Sequence, residues 1–75
     1  MRRIDARGLE CPLPLVMAKV ALEAVAPGEA LLVLTTDPEA ELDLAAWADE
    51  AGHALRVRPA EGWSEFVLRR GTDRA

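Results

Sequence analysis

The segment Gly8-Leu9-Glu10-Cys11-Pro12-Leu13-Pro14 constrains this chain more than any other, because its prolines leave the backbone few paths. Proline fixes φ and lacks an amide hydrogen. It is excluded from helix interiors but fits the first turn, where that amide would have no intrahelical partner. An apolar helical pattern starts here and stops at Pro27-Gly28. The spacing therefore predicts a helix from Pro12 to about Val25, with Cys11 as N-cap, Pro12 at N1 and Pro14 at N3. Gly8 supplies the tight turn that delivers Cys11 to the helix start.

That placement has chemical consequences. A thiol at a helix N-terminus faces the positive end of the macrodipole and the free amides of the first turn. Both favour the thiolate, and cysteines so placed can have a pKa lowered to roughly 3.5–7.5. With the N3 amide removed by Pro14, the Leu13 N–H is the one donor left to bond the sulfur. Cys11 is expected to be accessible, acidic and nucleophilic.

What such a thiol can do is narrowed by what the chain lacks. Cys11 is the sole cysteine, so there is no internal disulfide and no resolving partner for a dithiol cycle. There is no His/Cys/Asp cluster at metal-ligand spacing and no glycine-rich phosphate loop, so neither metal nor cofactor is expected. His53, the sole histidine, follows a helix end where the dipole favours its charge. One reaction needs only one cysteine, and that is carriage of sulfur as a persulfide. Two other readings stay open: a thiol-based redox sensor, and a non-catalytic interaction module in which the Cys-Pro-x-Pro corner is only a structural cap.

Beyond the motif, the chain alternates between strand and helix patterns. Arg2 to Ala6 alternates and reads as a short strand, with Ile4 and Ala6 on one face. In the first helix the polar stripe is Lys19 and Glu23, so Met17, Ala18, Ala21, Leu22 and Val25 should face the core. Leu15 and Val16 flank that stripe beside the thiol and, with Lys19, form a candidate docking surface. Ala30 to Thr36 is a continuous apolar run of the central-strand kind. Asp37-Pro38 repeats the cap-then-proline signal and opens a helix to about Ala51. Ala40, Leu44, Trp47, Ala48 and Ala51 share one stripe of it, Glu39, Asp43 and Glu50 face away, and Gly52 caps its end. His53 to Arg58 and Trp63 to Arg69 form a hairpin about Glu61-Gly62, with Phe66 and Leu68 inward.

The order β-α-β-α-β-β predicts an α/β (α+β) two-layer sandwich, a mixed four-stranded sheet with both helices on one face. The other face would carry Arg56, Arg58, Glu65 and Arg69 to solvent. Seventy-five residues suit one small domain, with a frayed tail from Gly71 to Ala75. A net charge of −4 suggests no nucleic-acid or membrane-surface partner. No apolar stretch reads as a signal peptide or a membrane span, and the lone cysteine suits a reducing compartment, so a soluble cytoplasmic protein is expected.

The run Asp5-x-x-Gly8-Leu9-x-Cys11-Pro12-x-Pro14 resembles the signature of the TusA/SirA-like sulfur-carrier family, and length and element order fit it as well. Gly8, Cys11, Pro12 and Pro14 match residue by residue. The resemblance implies a sheet in which the first strand neighbours the second, the second the fourth and the fourth the third. It also implies a sulfurtransferase-type carrier with no turnover alone. Such a carrier receives sulfur from a cysteine desulfurase or rhodanese-type donor and passes it to DsrE/TusD-like acceptors. Recipients would include tRNA thiolation, molybdenum-cofactor synthesis and sulfur oxidation. Asp37-Pro38 and Asp43-Leu44 resemble a second family stretch, but Ala45 stands where many members have proline, so Asp43 is assigned no role.

Overall fold

Sheet order decides where the loops of this chain meet. The computed structural model describes residues 2–71. Its elements are β1 (Arg2–Ala6), α1 (Leu13–Leu22), β2 (Ala30–Thr35), α2 (Ala40–Ala51), β3 (Ala54–Ala60) and β4 (Trp63–Arg69). They form one four-stranded sheet of order β1-β2-β4-β3, as the family resemblance implied. β1 pairs parallel with β2, and β4 lies antiparallel between β2 and β3. β1, β2 and β3 therefore point the same way, and each helix runs back against them. Both helices begin beyond the C-terminal ends of β1 and β2. That is where a site can be assembled from two loops.

One cluster ties the layers together. Ala18 and Leu22 of α1, Leu44 and Ala48 of α2, Leu31 and Val33 of β2, and Phe66 and Leu68 of β4 pack as one buried core, joined by Val25. Both helices thus cover the same sheet face. The register aligns Leu31 with Leu68 and Leu55, and Val33 with Phe66 and Val57, so alternate residues of three strands share that face. Each buried leucine contributes about 1.5–3 kcal/mol.

The helix bounds are tighter than the periodicity suggested. α1 stops at Leu22, and residues 23–25 continue as single tight turns, Val25 N–H donating to Leu22 C=O at 3.0 Å. The Arg70 guanidinium reaches back to this end, with Nη1 2.6 Å from Val25 O and 3.3 Å from Leu22 O. A cation from elsewhere in the chain thus takes up carbonyls that a longer helix would have used. Met17 and Ala21 are only half-buried, Trp47 likewise, and Ala51 is exposed rather than in the core. α2 starts at Ala40, after a turn in which Asp37 Oδ1 accepts the Glu39 amide at 2.9 Å. Its other end is the expected glycine cap. Gly52 takes φ 82°, and the His53 amide donates to Ala48 C=O at 2.8 Å, a Schellman closure that keeps His53 out of β3.

The far face of the sheet is less bare than expected. Arg58 pairs with Glu65 at 3.3 Å, and Arg69 Nη1 donates to Gly28 C=O at 2.7 Å. Leu34 lies in the same register row as Asp5, Glu65 and Arg58, yet only 2% of it is exposed. Beside it the Arg7 guanidinium stacks 5.0 Å from the Trp63 ring and pairs with Asp5 at 2.8 Å. Of the tail expected to fray, only Gly71 falls within the described residues; its amide donates to His53 Nδ1 at 2.9 Å.

Candidate functional site

Two loops, one after β1 and one after β2, face each other across an open cleft of about 490 Å³ between Gly8–Cys11 and Thr36–Glu39. They are stitched together by side chains of the second loop. The Gly8 amide donates to Thr36 Oγ1 at 2.9 Å, and the Cys11 amide donates to Asp37 Oδ2. Asp37 is itself held by its amide, which donates to buried Thr35 Oγ1 at 3.1 Å. Gly8 makes the bend possible, since its φ of 84° lies where side-chain-bearing residues are strained.

The helix start is displaced by one residue from the expected frame. The Leu13 amide donates to Glu10 C=O at 2.8 Å, closing a turn around Cys11 and Pro12, whose shared peptide is cis. Pro12 becomes the N-cap position and Leu13 the first helical residue, so Pro14 falls at N2, not N3. Pro14 is fully buried and Pro12 exposed. The Leu13 N–H, expected to point at sulfur, is therefore already committed to Glu10.

Sulfur finds a different partner. Cys11 is half-buried, and its Sγ–H donates to Asp43 Oδ2 in the first turn of α2. This bond is the main reason the Cys11 thiol is pushed up to about 11 from its ordinary 9.0; loss of water and the charges of Asp43, Asp37 and Glu39 add to it. The expected acidic thiol is thus overturned. A helix terminus offers roughly half a unit charge, whereas a whole carboxylate sits in contact with the sulfur and two more stand nearby. No lysine or arginine lines the cleft among the described residues.

Asp43 is the site residue that sequence reasoning left out. Its neighbour Leu44 is fully buried. A position one residue from the core stripe projects sideways along the layer, here toward the start of α1, and not outward to solvent. The Asp43-Leu44 pair in the second family-like stretch was the available signal.

The remaining expected site residues separate into two groups. Leu13 and Val16 are 49% and 48% exposed, and with Val20 they follow one another along one side of α1. Lys19 is exposed too, its Nζ 6.0 Å from the Trp47 ring centroid. Leu15 is half-buried against the core, so it does not belong to the exposed face as expected. His53 lies in a second cleft with Trp47 and Arg70, and burial and the Arg70 charge lower its pKa, the reverse of the expected dipole effect. Among the described residues no group of three or more His, Cys, Asp or Glu is arranged to hold a metal ion. No helix among them is long and apolar enough to cross a membrane.

The sulfurtransferase TusA family matches residues 2–70, nearly the whole chain. This chain belongs to the TusA family. Among its relatives in that family, the sulfur carrier protein TusA of Allochromatium vinosum is 41% identical over 61 residues, which span 81% of this chain and 80% of that protein. The crystal structure of a SirA-like protein from Desulfitobacterium hafniense superposes with a TM-score of 0.84 at 27% identity, over 95% of this TusA-family chain and 99% of the other. A Helicobacter pylori protein solved in solution shares the fold, with a TM-score of 0.73 at 19% identity over the same shares.

Proposed function

We propose that this protein is a sulfur carrier in which Cys11 accepts sulfane sulfur as a persulfide and relays it to an acceptor protein. The observation that carries the reading is a lone thiol at the mouth of an open cleft, in a chain of the TusA family. In loading, Cys11 Sγ attacks the outer sulfur of a donor persulfide. The donor's S–S bond breaks, its cysteine leaves as a thiol bearing the proton Cys11 gave up, and Cys11 keeps the outer sulfur. Unloading is the same exchange toward an acceptor thiol. No other side chain need change its covalent bonds, which suits a relay with no turnover of its own.

Gly8, Pro12, Leu13 and Pro14 are the positioning residues. They fix the loop that presents the sulfur, Leu13 through its bond to Glu10. Leu13, Val16 and Lys19, with Leu15 at their base, form the surface that a partner protein would cover. Donors of the cysteine-desulfurase or rhodanese kind and acceptors of the DsrE/TusD kind fit this scheme. So do the thiolation, molybdenum-cofactor and sulfur-oxidation routes that such carriers feed. A reducing cytoplasm would keep the single thiol free. A redox sensor is the weaker reading, because the chain belongs to the TusA family, whose similar members are named sulfur carrier proteins.

Incubation with a cysteine desulfurase and cysteine tests the proposal. Intact mass should rise by one sulfur atom, fall back with reductant, and stay unchanged in Cys11→Ser. Val16→Asp should slow loading while leaving iodoacetamide alkylation of Cys11 as it was. Loading that persists without Cys11 would refute the mechanism.

A further inference from the structure

Cys11 has a hydrogen to give Asp43 only while it is empty. The thiol donates to Asp43 Oδ2, and Glu10, Asp37 and Glu39 add carboxylates to the same cleft with no lysine or arginine among the described lining residues. A persulfide differs from a thiol in two ways. Its inner sulfur carries no hydrogen, and its outer sulfur is more acidic than a thiol and therefore anionic at neutral pH. Loading thus breaks the bond to Asp43 and sets a new negative charge among existing ones.

Resting on the carrier reading above, we propose that Asp43 makes Cys11 a sulfur donor and not a sulfur store, by stabilising the empty thiol and repelling the loaded persulfide. The two states then differ in which way sulfur leans. The empty thiol points toward Asp43 on α2, and the loaded sulfur is driven off the carboxylates toward whatever covers the cleft. An acceptor gains by this bias. Return of the thiol proton to the Asp43 contact accompanies release of the sulfur, so part of the driving force for onward transfer is built into the carrier.

Exchange with glutathione persulfide in a mixture with glutathione measures the bias directly. In that exchange the S–S bond of glutathione persulfide breaks and one forms between Cys11 Sγ and the outer sulfur. The Cys11 proton ends on the glutathione thiol, and Cys11 is oxidised as the glutathione sulfur is reduced. Intact mass at neutral pH gives the loaded fraction and hence the equilibrium constant. Asp43→Asn should raise that constant about tenfold, the equivalent of one pKa unit. Asp43→Glu, which keeps the charge, should return it toward the parent value. Glu39→Gln should raise it less, by about twofold, since Glu39 is exposed and acts only through its charge. Glu39→Gln decides the matter if circular dichroism shows Asp43→Asn unfolded. Equal constants for the parent and the charge-removing variants would overturn the inference and leave the carrier intact. Failure of Cys11 to take sulfur in any variant would overturn the carrier reading, and this inference with it.

Discussion

The two ends of the helix layer carry opposite chemistry. Where α1 and α2 begin, Glu10, Asp37, Glu39 and Asp43 gather about Cys11. Where the helices end, Lys19, His53 and Arg70 line a second cleft of about 280 Å³ around Trp47, against one carboxylate, Glu23. The macrodipoles, worth about 0.3–1 kcal/mol for each well-placed charge, account for part of this: Glu41 and Asp43 lie in the first turn of α2 and Lys19 in the last turn of α1, but α1 has no acid in its first turn and α2 no base in its last. The ends differ in what their charges are used for. Arg70 spends its guanidinium on the free carbonyls that follow α1, and His53 accepts the Gly71 amide while its ring meets Trp47 at 5.2 Å. That end is a structural clasp. At the other end Asp37 satisfies the Cys11 and Glu39 amides, but the Asp43 carboxylate bonds only the thiol among its described partners. Its contribution is to chemistry.

The comparison can be broken by removing one end without the other. Arg70→Met should have the larger effect, a loss of about 1–3 kcal/mol in urea denaturation, because hydrogen bonds to a charged donor are lost at several carbonyls. Alkylation of Cys11 should titrate as before. A shifted titration would show the ends to be coupled and the division of labour false. The smaller effect belongs to His53. Burial first and then the Arg70 charge hold its pKa below the ordinary value of 6.5. The unfolded chain therefore binds that proton more readily, and stability falls as pH drops through the region below 6.5. His53→Gln should flatten this slope in pH-dependent melting. A parent protein that grows more stable on acidification there would contradict the assignment.

Much of this was legible in the chain, for identifiable reasons. β1 and β4 keep their expected bounds because period-two patterns end at Gly8, Gly62 and Arg70. The helices were found by their stripes, and Gly52 by its place after the last apolar residue. The end of α1 was not, because Arg70 reaches it across more than forty residues of sequence. No local signal reports such a contact. The same holds at the site. Cys11 announces itself through prolines, which act on neighbouring backbone. Its acidity depends on Asp43, thirty-two residues away and brought near by the layer packing. Local geometry alone pointed to a thiolate, and the tertiary carboxylate reverses the sign.

Titration of Cys11 in the parent protein and in Asp43→Asn, followed by iodoacetamide alkylation across pH, tests the account most directly. With Asp43 in place the midpoint should lie at about 11, and in Asp43→Asn it should fall toward the ordinary thiol range of about 8.5. A parent midpoint at or below about 8.5, unmoved by the substitution, would mean that the helix terminus governs the sulfur and that Asp43 does not hold it.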